Sequence, residues 1–260
     1  MRLLVTGGRT GYLGRHVVGV AAAAGLDVVA VGSADADVRD PDAVADLLDR
    51  HRPDVVVHTA YVQSAWDVTA TGAAHVALAA SACGARFVLV SSDTVFSGAD
   101  VHYTESARPD PITPYGAAKA AAETVALAGC EDVVVARTSL ILGDGASPHE
   151  RYVHDLAAGR DGALFDDERR CPVHVADLAA VLLELARGHQ QGVVHVAGAD
   201  AMSRYELGRL VAARDGLDAS CLRATTRAEA GVPGPVDVRL DSSLAAEVLE
   251  TRLRGAREFL

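Results

Sequence analysis

The chain has 260 residues, half of them hydrophobic and 4% aromatic, which is enough for a sizeable core built largely of alanine and valine. Its formal net charge of −11 argues against nucleic acid or an anionic membrane as a partner. No apolar run approaches the ~20 residues of a membrane span, and no signal-peptide pattern opens the chain, so we expect a cytoplasmic protein. The cysteines have no metal-binding or redox spacing; we expect them to be reduced and buried, with no bound metal: Cys83, Cys130, Cys171 and Cys221.

The first predicted unit is a strand, a glycine turn and a helix. The apolar run 2–6 predicts the strand, and the apolar stretch 17–24 predicts the helix. The glycines between them have a G-x-x-G-x-x-G spacing, which permits a tight turn, close approach to a pyrophosphate and close packing of helix on strand. We therefore predict a dinucleotide-binding loop made of Gly8, Arg9, Thr10, Gly11, Tyr12, Leu13 and Gly14.

The second predicted strand, 27–32, indicates which dinucleotide is bound. An acidic residue usually ends this strand in NAD-selective folds, but here no carboxylate follows until Asp35. Because the Arg9 guanidinium could reach a 2′-phosphate, we expect NADPH in preference to NADH. Arg39 could assist, or could equally be a solvated residue at the start of the next helix, 43–51, which Asp40 caps. We assign to the cofactor site, further along the chain, Ser33, Arg39, Asp40 and Ala60.

The next two predicted strands, 55–58 and 87–90, flank a predicted helix over 67–83. His58 is interpreted as a packed residue at the end of its strand. Ser92 and its neighbours follow the fourth strand, at the edge of the sheet where ligands bind in such folds. The hydroxyls there are candidates to hold a substrate oxygen, although a capping turn would use the same residues. We assign to substrate binding Ser92, Asp93 and Thr94 and, further along the chain, Leu140.

Tyr115 and Lys119 are the strongest catalytic candidates. Lys119 is the only lysine among the 24 lysine and arginine residues of the chain. Four residues separate it from Tyr115, so the phenol and the ammonium lie on one face of the helix predicted over 117–128. This pattern fits hydride transfer at a carbonyl, with Tyr115 as the general acid, Ser92 polarising the same oxygen and Lys119 lowering the pKa of the phenol. Lys119 is also expected to hold the nicotinamide ribose.

Strands and helices alternate as far as Arg137, which predicts an α/β fold of Rossmann type with a doubly wound parallel sheet. We predict a cofactor-binding core over 1–138, completed by about 172–198. The remaining segments, 139–171 and 199–260, are predicted to form a small substrate-binding lobe over the strand ends. Residues 139–170 read as loop-rich.

The chain resembles an extended short-chain dehydrogenase/reductase, and most of all the dTDP-4-dehydrorhamnose reductase family. The resemblance rests on the glycine loop, the Ser-Ser-Asp-Thr-Val-Phe run 91–96, the Tyr-x-x-x-Lys pair and the Arg-Thr-Ser run 137–139. It implies a catalytic triad of Ser92, Tyr115 and Lys119, NADPH or NADH as cofactor, and reduction of a keto group on a nucleotide-linked sugar. Leu140 stands where the family has a sugar-contacting aromatic residue, and Gly234 where it has an arginine.

Two other functions remain open. An epimerase or dehydratase of the same superfamily would retain NAD and recycle it. A regulatory subunit would bind the dinucleotide without catalysis, although such proteins often lose the Tyr-x-x-x-Lys pair. The small, apolar exposed face of 117–128 would also allow close packing of two copies into a homodimer, as in many members of the superfamily.

Overall fold

The computed structural model describes all residues, 1–260. Its centre is a six-stranded parallel sheet in the order β6-β5-β4-β3-β1-β2. The strands are β1 Arg2–Thr6, β2 Asp27–Val31, β3 Val55–His58, β4 Arg86–Ser92, β5 Val133–Thr138 and β6 Gly192–His195. The order reverses between β1 and β3, and in doubly wound sheets ligands bind in the crevice that opens at such a point. The Rossmann-type fold predicted from the sequence is confirmed.

Helices cover both faces of the sheet. Helices α1 and α6 share one apolar cluster with the sheet, and α2, α3 and α4 share the cluster on the other face. The helices are α1 Tyr12–Ala23, α2 Pro41–His51, α3 Ala73–Ala82, α4 Pro114–Gly129, α5 Pro148–Ala157, α6 Val175–Arg187, α7 Arg204–Asp215, α8 Arg227–Ala230, α9 Ser243–Val248 and α10 Ala256–Phe259. None of them is long and apolar enough to cross a bilayer.

Residues after β5 form a further apolar cluster in which α5 packs against α7. Three short strand pairs lie within this region: Ile141–Leu142 with Val173–His174, Leu164–Phe165 with Ala224–Thr225, and Arg169–Arg170 with Met202–Ser203. A fourth pair, Arg239–Leu240 with His102–Tyr103, joins it to the segment between β4 and α4. The division into a cofactor core and a substrate lobe stays a prediction.

Two local expectations were incomplete and one was wrong. Residues 139–170 are not all loop, because a capping box between Ser147 and Glu150 starts α5. The helix predicted over 67–83 opens with a π-helical turn, Asp67–Gly72, in which the Thr69 hydroxyl donates to the Val62 carbonyl and accepts from its amide. Two of the four cysteines, Cys83 and Cys221, are exposed rather than buried.

Candidate active site

A cavity of about 770 Å³ lies at the carboxyl ends of β1, β3 and β4. The glycine turn forms part of its wall, as do Tyr115 and Lys119. The turn is too tight for side chains, because a Cβ on Gly11 would lie 2.6 Å from the Gly7 carbonyl oxygen. No side chain caps α1, whose N-cap is Gly11. The N-terminal amides of α1 are therefore available to an anionic group, as a pyrophosphate requires.

Most of the predicted cofactor residues line this one cavity. They are Thr10, Gly11, Tyr12, Leu13, Gly14, Ser33, Arg39, Ala60, Tyr115 and Lys119. The other three predicted residues, Gly8, Arg9 and Asp40, are not part of its wall. Gly8 packs against β1 and Val18, and the Asp40 carboxylate accepts hydrogen bonds from two amides of the first turn of α2. Asp40 therefore caps α2, as predicted.

Each arginine at the β2 end of the cavity already has an acidic partner. Arg9 Nη2 lies 2.8 Å from Asp35 Oδ1, while Asp35 Oδ2 accepts from the Gly32 amide. Arg39 forms an ion pair with Asp37 at 2.6 Å. A 2′-phosphate that approached either guanidinium would have to compete with these carboxylates.

The turn after β4 brings three predicted substrate residues together. Thr94 donates to Ser92 Oγ twice, from its amide at 3.2 Å and from its hydroxyl at 2.9 Å. Ser92 Oγ in turn lies 3.2 Å from Asp93 Oδ1. The buried Asp93 also accepts from the Ser139 hydroxyl at 2.7 Å and faces Arg170 at 3.6 Å. Burial raises the pKa of Asp93, and the Arg170 charge opposes this shift.

Tyr115 stands in the first turn of α4, next to this turn. Thr113 caps the helix and Pro114 is its first residue, which is the usual start signal. Burial raises the pKa of Tyr115 above its ordinary value, while a hydrogen bond from Ser92 opposes the rise. Lys119 was expected to lower this pKa, but in the structure desolvation dominates. The phenol is thus held in its protonated form.

Lys119 is 4% exposed, and its ammonium donates to the Val90 carbonyl at 3.0 Å. The ammonium also lies 5.1 Å from the ring centroid of Tyr61, which contacts the Tyr115 ring. Burial lowers the pKa of Lys119 from 10.5 to about 8, and the Glu123 carboxylate opposes this shift. Tyr61 was not singled out as a site residue from the sequence; its position directly after β3 and Ala60 was the available signal.

A buried ion pair lies one helical turn beyond Lys119. Glu123 is 2% exposed and receives three hydrogen bonds from Arg137 on β5, the shortest at 2.7 Å. Ser91, the residue before Ser92, donates to the same carboxylate. The pair therefore links α4, β4 and β5 directly beneath the catalytic candidates.

The far end of the cavity is formed by residues from the predicted lobe. Leu140, the predicted sugar contact, lines it. So do Glu168, Arg170 and Arg204, which the sequence did not single out. Glu168 is 3% exposed and pairs with Arg204 at 2.9 Å and Arg170 at 3.8 Å. Arg204 also donates to the half-buried His149, whose pKa is lowered to about 3 by desolvation and by the Arg204 charge. This end is polar and rich in arginine.

The fold and the cavity together define an NAD(P)-dependent oxidoreductase of the extended short-chain type. The family model for the RmlD substrate binding domain matches residues 1–259, so the chain belongs to that family. A dTDP-4-dehydrorhamnose reductase of Mycobacterium tuberculosis is 33% identical over 255 residues, which are 90% of this chain and 82% of that protein.

Other relatives carry different names. The methionine adenosyltransferase 2 subunit beta of Xenopus laevis is 30% identical over 273 residues, with 93% of this chain and 80% of that protein covered. Among solved structures, a dTDP-4-dehydrorhamnose reductase of Bacillus anthracis in complex with NADP superposes with a TM-score of 0.91. It is 23% identical, with 99% of this chain and 96% of that chain covered, and shows a shared fold.

Proposed function

We propose that the chain is a sugar-nucleotide reductase that uses NADPH or NADH to reduce a keto group. The observation that carries the proposal is the convergence of Ser92, Tyr115 and Lys119 with the glycine turn of α1 on one cavity. The cofactor, when bound, supplies the hydride. The membership of the family and the reductases within it support the substrate class.

Each residue of the triad has a distinct part in the proposed reaction. Negative charge develops on the keto oxygen as hydride arrives, so a proton donor must lie beside it. Tyr115 donates this proton, and its raised pKa keeps the phenol protonated at neutral pH. Ser92 donates a hydrogen bond to the same oxygen. Lys119, still charged at pH 7 because its pKa is about 8, stabilises the tyrosinate that remains.

The cofactor residues have proposed roles that follow from their positions. The amides at the start of α1 bind the pyrophosphate, and Lys119 reaches the nicotinamide ribose. Ser33 and Arg39 lie at the adenosine end of the cavity. Arg9 favours NADPH when its guanidinium exchanges Asp35 for a 2′-phosphate. Leu140, with Asp93 and Thr94, forms the wall on the substrate side.

The test is oxidation of NADPH and of NADH by the purified chain, with dTDP-4-keto-6-deoxy sugars as substrates. We expect turnover by the wild type. Tyr115→Phe should reduce it by about 10²-fold or more, the usual contribution of a positioned general acid, while NADPH binding measured by calorimetry is retained. Absence of turnover in a wild type that binds NADPH would contradict the substrate class and leave the fold untouched.

A regulatory role is the second candidate, because a relative of similar identity is named as a subunit of a methionine adenosyltransferase. The same Tyr115→Phe variant separates the two. A reductase loses its turnover with this change, whereas a dinucleotide sensor keeps its binding and shows no turnover in either form. Tightly bound NAD in the purified protein would instead favour the epimerase or dehydratase.

A homodimer is also proposed, through α3 and α4. Leu78 on α3 and Leu127 on α4 are 49% and 40% exposed, and the two helices pack side by side. Burying both leucines against a second copy would remove apolar surface from water. Sedimentation equilibrium at micromolar concentration should show a dimer that Leu127→Asp dissociates. A single species of 26.9 kDa in the wild type would refute the dimer.

A further inference from the structure

Thr94 fills the acceptor capacity of the Ser92 hydroxyl. A serine hydroxyl has two lone pairs and one proton. The Thr94 amide donates to Ser92 Oγ at 3.2 Å, and the Thr94 hydroxyl donates to the same atom at 2.9 Å. Both lone pairs are therefore occupied from one side, and the Ser92 hydroxyl can act only as a donor.

The direction of the remaining proton is also restricted. Asp93 Oδ1 lies 3.2 Å from Ser92 Oγ, a long contact for two oxygens. The other oxygen of Asp93 already receives the Ser139 hydroxyl. On the cavity side, Ser92 and Tyr115 line the same wall, and the Ser92 side chain opposes the rise in the Tyr115 pKa. Apart from the long contact with Asp93, the proton of Ser92 is thus left for an acceptor in the cavity, where the proposed keto group would lie.

The backbone of Thr94 connects this turn to the helix that carries Tyr115. The Thr94 carbonyl oxygen lies over Gly116 so closely that any Cβ there would clash with it. The turn of Ser92 and the first turn of α4 are therefore in direct contact. Thr94 is the residue that touches both, through its hydroxyl on one side and its carbonyl on the other.

A capping function alone does not account for these contacts. The cap of the short 3₁₀ turn, Asp93–Val95, needs only the bond from the Thr94 amide to Ser92. The second bond, from the Thr94 hydroxyl, satisfies no backbone group of the turn and so adds nothing to the cap. It instead restricts the orientation of the Ser92 hydroxyl.

We propose that Thr94 is a positioning residue, which fixes the Ser92 hydroxyl as a hydrogen-bond donor toward the keto oxygen and docks it against Tyr115. The inference rests on the proposed reductase function. It differs from the substrate contact expected from the sequence, because Thr94 acts through Ser92 and need not touch the substrate.

The experiment compares Thr94→Val, which keeps the branched shape and loses the hydroxyl, with Thr94→Ser, which keeps the hydroxyl. Single-turnover oxidation of NADPH measures hydride transfer. We expect Thr94→Val to slow it about tenfold, equivalent to about 1.4 kcal/mol, with unchanged KM and unchanged NADPH affinity. Thr94→Ser should restore the rate to within about threefold. Thr104→Val is the matched control, since Thr104 is exposed and its hydroxyl contacts only Ser106.

Crystal structures of the variants provide a readout that needs no activity. Ser92 should keep one side-chain rotamer in the wild type and in Thr94→Ser, and should populate more than one in Thr94→Val. A single Ser92 rotamer in all three proteins would overturn the proposal, as would a rise in KM without a change in hydride transfer. If the wild type reduces no keto-sugar, the proposed function fails, and the rotamers alone decide the role of Thr94.

Discussion

The buried ammonium of Lys119 should make stability depend on pH in a way that Lys119→Met abolishes. The folded-state pKa is about 8 and the ordinary value is 10.5. Below pH 8 Lys119 carries its proton in both the folded and the unfolded chain. The free energies of unfolding of the wild type and of Lys119→Met therefore differ by a constant amount in this range. Between pH 8 and 10.5 only the unfolded chain keeps it, and the folded state gains about 1.4 kcal/mol per pH unit. The stability of the wild type relative to Lys119→Met should therefore rise by about 2 kcal/mol between pH 7 and pH 9.5.

Urea unfolding at fixed ionic strength measures this difference at each pH. Thr124→Ala, an exposed change on the same helix, is the control and should differ from the wild type by an amount independent of pH. Because the chain has one lysine, ¹⁵N-lysine labelling also gives a single side-chain signal, expected to titrate near pH 8. A constant difference between pH 7 and 9.5, or a titration near 10.5, would show that the ammonium is solvated and that this reasoning is wrong.

Three further predictions test other contacts. Gly116→Ala should lower the melting temperature and slow hydride transfer, because the added methyl clashes with the Thr94 carbonyl; unchanged kinetics would contradict the contact. Asp35→Asn should raise the ratio of NADPH to NADH affinity about tenfold by freeing Arg9, and Arg9→Ala should lower it; fluorescence titration measures both, and equal ratios would refute the pair's role. Ser147→Ala should lower the free energy of unfolding, measured with urea, by about 1 kcal/mol, since it removes the cap of α5. An unchanged free energy of unfolding would show that the cap does not stabilise the fold.

The parts of the fold that were predictable are those encoded by local spacing. Three features could each be predicted from a pattern shorter than about a dozen residues. They are the glycine turn, the buried strands and the spacing of Tyr115 and Lys119. The start of α5 could also have been predicted, because Ser147 and Glu150 have the spacing of a capping box. It was missed because the glycines and charged residues of the same segment are typical of loops. The π-helical turn at 67–72 depends on contacts of Thr69 with Val62, which the helical period does not reveal.

The substrate end of the cavity could not be predicted in this way. Glu168 meets Arg204 across 36 residues of chain, and Arg170 reaches Asp93 across 77. Such pairs follow from how the segments after β5 fold back over the sheet, and charged residues in a loop-rich stretch otherwise read as solvated. The same holds for the direction of the Tyr115 pKa, which depends on burial by several separate segments.

Burial shifts the pKa values of the two members of the proposed catalytic pair in opposite directions, and both shifts suit the proposed reduction. It raises the pKa of Tyr115 and lowers that of Lys119, because each charged form loses hydration. At pH 7 the phenol therefore holds its proton, while Lys119, with a pKa of about 8, still holds its charge. A proton donor and a cation that stabilises the resulting tyrosinate are thus present together over a window that closes as pH rises past 8. Glu123 widens this window, since its carboxylate favours the ammonium. An arginine at position 119 would stay charged at every such pH, but it would have to place a larger, planar head where the ammonium is 4% exposed and donates to the Val90 carbonyl. The one lysine of the chain is therefore where a compact cation is required.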